Sequence, residues 1–145
     1  MMIQHIKKLC VGLNHIDQLR DWQSKRGFKG SGGFKIVCHL TRATPKKHNE
    51  ILAGGSLYWI IKGWIIARNP IVGLEPVEDE EGRKKCSIIL KCGPIAVVPI
   101  RHRPFQGWRY LNREDAPQDL SKFNAVSSEP MPPEMAAKLN ELGLI

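Results

Sequence analysis

Apolar and polar residues alternate along residues 2–12, with Ile3, Ile6, Leu9 and Val11 as the apolar positions, and this predicts a first strand. The period then lengthens. Ile16, Leu19 and Trp22 fall on one face of a helix that Asn14 is placed to cap, with Asp17 in a capping-box position and Gly27 as the stop. Gly27, Gly30, Gly32 and Gly33 mark a loop, after which residues 34–41 return to strand chemistry. Pro45 suits the first turn of a short helix that runs to Leu52 and ends at Gly54 and Gly55. Residues 56–61 and 64–71 are two β-rich runs around Lys62-Gly63, which reads either as a tight hairpin or as one long strand bent at a glycine bulge. Pro76 and the acidic residues up to Gly82 predict a solvated turn. Strands follow at 84–91, at 95–100 between Pro94 and Pro99, and at 105–111. Residues 112–130 are rich in Pro, Asp and Ser and predict a surface wrap. Met131, Pro132 and Pro133 lead into a last helix through Leu142, halted by Gly143.

The order β, α, β, short α, a run of strands and a final α is not the regular alternation of a doubly wound sheet. It predicts one α+β domain over residues 1–145: a small mixed or antiparallel β-barrel, with a helix after the first strand and a helix at the C-terminus. Closing the barrel would remove the sheet edges. The longest apolar stretch, 57–67, is broken by Lys62 and is too short to span a bilayer, so no membrane partner is expected. No export signal is visible near Lys7 and Lys8, which places the chain in the cytoplasm.

Charge changes the picture more than composition does. The 145 residues carry a formal net charge of +8, and 42% of them are hydrophobic, which is ordinary for a globular domain. Glu75, Glu78, Asp79, Glu80 and Glu81 crowd into one stretch without a single Lys or Arg, so the basic excess lies elsewhere. Such a field attracts phosphate groups. Cys10, Cys38, Cys86 and Cys92 show no metal or redox spacing and are expected as buried, reduced thiols. Neither a metal nor a cofactor is expected.

Cations and aromatics interleave in Arg101-His102-Arg103-Pro104-Phe105-Gln106-Gly107-Trp108-Arg109-Tyr110-Leu111. Single-stranded nucleic acid is held by this chemistry, with basic side chains on phosphates and aromatic faces on bases. On a strand, Trp108 and Tyr110 share one face and Arg109 takes the other; the pair could equally be core. Arg42 and Lys46 crowd the start of the short helix, a setting that favours an anion. Lys62 beside Gly63 can project from the end of a buried strand. The candidate nucleic-acid-binding set is therefore Arg42, Lys46, Lys62, Arg101, Arg103, Trp108 and Arg109. Catalytic signals are weak: His5, His15, His39, His48 and His102 lack metal-ligand spacing, and Cys38 and His39 point to opposite faces of one strand. The glycine loop matches neither the dinucleotide nor the Walker pattern.

The strings GGSLYWIIKG (54–63) and RPFQGWRYL (103–111), with KLCVG near the start, EDAP at 114–117 and ELGL near the end, resemble an alphaproteobacterial family known only as a domain of unknown function. That resemblance spans nearly the whole chain and implies no activity. More distantly, Gly-Gly followed by SLYWIIKG and WIIARNPIVGLEPV is similar to the PUA and ASCH group of small β-barrels. This implies binding of RNA or modified bases. Some ASCH relatives are small amidohydrolases with a Lys, Thr and Glu set, for which Lys46, Thr44 and Glu75 are the counterparts here, in a different order. The expected function is binding of RNA or single-stranded nucleic acid. The alternatives are a small hydrolase or ligand-binding protein acting on a modified base or nucleotide, and a protein-interaction module.

Overall fold

The computed structural model describes residues 2–30, 32–122 and 133–142. Its elements are β1 (His5–Leu9), α1 (Ile16–Arg26), β2 (Phe28–Lys29), β3 (Lys35–Thr41), α2 (His48–Leu52), β4 (Ser56–Ile61), β5 (Trp64–Glu78), β6 (Lys84–Lys91), β7 (Ile95–Arg101), β8 (Trp108–Leu111), a 3-10 turn (Arg113–Asp115) and α3 (Pro133–Glu141). The α+β class and the mixed sheet are as expected, with helices after β1 and at the C-terminal end of the described chain.

One long strand organises the sheet. β5 runs for 15 residues; its first half pairs with β4 and β7, and its second half with β6. The result is two leaves that share β5. The first has the order β8-β1-β4-β5-β7, with β1 and β4 parallel, and the second runs β5-β6-β3-β2. Between β4 and β5 the chain turns in two residues, Lys62 (φ 52°) and Gly63 (φ 80°). Two consecutive left-handed residues make the turn whose twist matches the flanking strands, so the region is a tight hairpin.

Buried residues from both leaves meet in one core: Ile6, Leu57, Trp59, Ile61 and Ile66 from the first, with Val37, Cys86, Ile88 and Leu90 from the second. α1 adds Ile16 and Leu19, and α2 adds Ile51. Because β4 is central, its other face is buried too, with Tyr58 and Ile60 packing on Ile65, Val97 and Leu111. α1 starts one residue later than the pattern suggested. His15 is its N-cap, Nδ1 accepting from the Asp17 N–H at 3.2 Å, while the Gln18 side chain accepts from the Asn14 N–H at 2.6 Å. Gly55 passes so close to β1 that a Cβ would lie 2.1 Å from the Gln4 carbonyl oxygen, which ties the GG pair to the packing of α2 and β4 on β1.

Four expectations are corrected. The sheet is not closed into a barrel: among the described residues no ladder joins β8 to β2 or β3, because β2 has two residues and the chain leaves the sheet after Thr41. Pro76 lies within β5 rather than in a turn, at a stretch where β5 has β6 as its only sheet partner and an edge strand tolerates proline. The last strand begins at Trp108, since Gly107 is left-handed (φ 74°) and Phe105 leaves the sheet to pack on the outer cluster. Cys38 is exposed on β3, while Cys86 is buried and Cys10 and Cys92 are half-buried; all four are free. Of the residues expected to wrap the surface, 112–122 form the 3-10 turn and an isolated bridge from Asp119 to Val97. The rest of that expectation lies outside the described residues.

Candidate nucleic-acid interface

Strand alternation sets the site. On β1, Ile6 enters the core, and two residues on Lys8 and then Cys10 follow on the same side. Lys8 pairs with Trp59 on β4 and with Trp108 on β8. On β3, Val37 and Thr41 are buried and His39 is half-buried, whereas Cys38 and Leu40 are exposed. Past Thr41 the chain swings across to β8. There Trp108 Nε1 donates to the Ala43 carbonyl at 3.2 Å, and the Lys47 backbone N–H donates to the Tyr110 hydroxyl at 3.2 Å. Trp108 and Tyr110 meet edge to face at 5.1 Å, and the Lys47 ammonium lies 5.1 Å from the Tyr110 ring centre. These side-chain contacts take the place of the missing ladder.

The space they frame is an open groove of about 820 Å³. Lys8, Arg42 and Lys85 supply its cations, Trp108 and Phe105 its aromatic surface, and no carboxylate lines it. Val11 and Leu40 also line it, 82% and 53% exposed, so apolar side chains stand in the open beside the cations. Burial lowers the Lys8 ammonium below the ordinary lysine value. Arg42 and Lys85 stand on a ridge, because both also line a second cleft of about 460 Å³ with Thr44, Glu78 and Lys84. The one acidic neighbour of Lys85 is loose: Asp79 lies 4.0 Å away.

Beyond Lys8, Leu9 and Val11, which line both spaces, lies a smaller pocket of about 210 Å³. Its other walls are Cys10, Leu13, Leu19, Trp22, His39 and Trp59. The Trp59 ring is held from behind: its Nε1 donates to Asn69 Oδ1 at 2.9 Å, and the Asn69 and Gln23 amides exchange two further bonds at 2.8 and 2.9 Å. His39 meets Trp59 edge-on at 5.4 Å and 89°. Burial, with help from Lys8, pushes the His39 imidazole down to about 4, and its Nε2 is buried with no hydrogen-bond partner. Burial also pushes the Cys10 thiol up to about 11, so it stays protonated and is a poor nucleophile.

The sequence-predicted residues separate into several places. Arg42 and Trp108 come together in the groove. Arg101 and Arg103 line another cleft, of about 400 Å³, with Gly63, and Lys62 stands next to it at the hairpin turn. The Arg101 guanidinium lies 5.6 Å from the Trp64 ring. Arg109 is exposed on the far face of β8 from Trp108, its guanidinium 4.6 Å from the Phe105 ring. Lys46 is exposed just ahead of α2 and lines none of these spaces. Lys8 and Lys85 were missed. Both are lysines in strands otherwise rich in apolar residues, and Lys8 was readable as the inward position two residues after Ile6. Thr44, Lys46 and Glu75 do not converge: Thr44 lines the second cleft, and Lys46 and Glu75 do not. Among the described residues no group of His, Cys, Asp and Glu is arranged to hold a metal ion, and no helix is long and apolar enough to cross a membrane.

Against known proteins, residues 6–145 match the model of a family described as "Protein of unknown function (DUF1489)". No curated protein and no solved structure matches the chain.

Proposed function

We propose that this chain, which belongs to the DUF1489 family of proteins of unknown function, binds RNA or another single-stranded nucleic acid in the groove between β8 and the exit of β3. One observation carries the reading: Lys8, Arg42 and Lys85 share an open groove with Trp108 and Phe105, and no carboxylate lines it. Phosphates neutralise the cations and release counterions, while bases lie on the aromatic and apolar surface. A duplex would present its phosphates but keep its bases stacked inside, away from Trp108, which favours a single strand. The distant likeness to PUA and ASCH barrels supports the same reading by analogy, since a shared fold does not fix a function. Free thiols suit a reducing, cytoplasmic setting. Of the sequence-predicted set, this reading keeps Arg42 and Trp108, adds Lys8, Lys85 and Phe105, and leaves Lys46, Lys62, Arg101, Arg103 and Arg109 outside the groove. Fluorescence anisotropy with a labelled single-stranded RNA at two ionic strengths tests it. Tight binding at low salt that weakens steeply as salt rises is expected; no binding at low salt, or binding indifferent to salt, overturns it.

A further inference from the structure

The small pocket behind Lys8 has features that binding of phosphates does not need. A polar atom buried without a partner is rare in folded proteins, and His39 Nε2 is one. It sits on a pocket wall rather than deep in packed core, beside two indoles and a thiol. The pocket's 210 Å³ is below the roughly 300–1,000 Å³ of sites that hold drug-sized molecules, so it has room for one ring system and not for a whole nucleotide. Its position completes the argument. Lys8, Leu9 and Val11 line both the pocket and the groove, so a strand whose phosphates lie on Lys8 and Arg42 runs past the pocket mouth.

We infer that this pocket receives a single nucleobase turned out of the strand held in the groove, with Trp22 and Trp59 as its apolar walls and His39 Nε2 meeting a polar atom on the base edge. The inference rests on the groove reading and names what that groove presents. The occupant must be uncharged and planar. A phosphate entering here would lose its water and find one half-buried ammonium. A base instead brings an apolar face and a hydrogen-bonding edge, and a neutral imidazole can serve that edge as donor or acceptor according to tautomer. The site is built in advance: the Asn69 and Gln23 amides fix the Trp59 ring, and Gln23 also accepts from the Gly93 N–H at 3.1 Å. Ordering such a wall before binding lowers the cost of taking up the ligand.

The indole N–H signals of the wild-type chain in a nitrogen–proton correlation spectrum test this without relying on a variant. Free adenosine or uridine, each alone, is expected to move the Trp22 and Trp59 signals and leave Trp64 unmoved. A short single-stranded RNA is expected to move Trp108 as well as Trp22 and Trp59. RNA that shifts Trp108 but neither Trp22 nor Trp59 overturns the base pocket and leaves the groove standing. Nucleosides that shift Trp22 and Trp59, while RNA shifts no indole, keep the pocket and remove the groove. Nucleosides that move neither tryptophan overturn the pocket. His39→Leu is expected to weaken nucleoside binding about tenfold by removing the one polar contact. Cys10→Phe, which fills the pocket, is expected to abolish it while RNA still shifts Trp108. Unchanged nucleoside affinity in a folded Cys10→Phe chain overturns the assignment.

Discussion

At the scale of single residues, His39 gives the sharpest consequence. Its imidazole is held down to about 4 by burial and by Lys8, so the folded chain refuses a proton that the unfolded chain accepts near 6.5. As pH falls from about 6.5 towards 4 the unfolded chain binds more protons, and stability drops across that window before levelling off. The span is about 3 kcal/mol. His5, lowered by burial and then by Arg68 and Arg113, acts in the same direction. Urea midpoints taken from about pH 7 to about pH 4 are expected to fall in the wild type and to fall distinctly less in His39→Leu. Equal slopes would mean that His39 is not held neutral by its surroundings. Trp108 is a different case, half-buried against the core yet lining the groove. Trp108→Ala is expected to cost about 1–3 kcal/mol of RNA affinity. Its cost in folding stability should stay below the about 3–5 kcal/mol of a fully buried aromatic. Denaturation and RNA titration of this one variant separate the two effects.

At the scale of elements, much of the fold was legible, and the misses have causes. β4 and β6 fall at the predicted residues because their runs are apolar on both faces and end at glycine or charge. Tyr58 and Trp59 were readable as opposite faces of one buried strand, and so they are. What failed depends on neighbours far along the chain. β2 is two residues that count as strand because β3 pairs with them, and Pro76 stays in β5 because only β6 lies beside it. Closure was inferred from the need to remove edges. Side chains meet that need here, with Trp108 and Tyr110 contacting residues 43 and 47 in place of a ladder. The GG pair shows the same dependence. Gly55→Ala puts a methyl against the Gln4 carbonyl and is expected to cost about 1–3 kcal/mol in a urea titration. Gly107→Ala meets no atom within 4 Å and pays only for its left-handed φ, so it should cost less. A Gly55→Ala chain as stable as wild type would contradict the close packing of β1, α2 and β4.

At the scale of the whole molecule, the net charge of +8 was read correctly as a phosphate-seeking field, but charge in a sequence has no position. Seven residues were chosen because cations and aromatics are neighbours along the chain. The fold distributes them among a groove, a cleft beside the β4–β5 hairpin and the far face of β8, and it brings in Lys8 and Lys85 from strands where lysine drew no notice. The central claim is therefore that binding belongs to the groove and not to the basic surface at large. The salt dependence of RNA affinity decides this when Arg42→Ala/Lys85→Ala is compared with Arg101→Ala/Arg103→Ala, two variants of equal charge change. The account predicts that the first pair weakens binding and lowers the slope of log K against log salt by about 2, roughly one for each lost phosphate contact, while the second keeps the wild-type slope. Equal losses in both pairs, or a loss confined to Arg101 and Arg103, would contradict it.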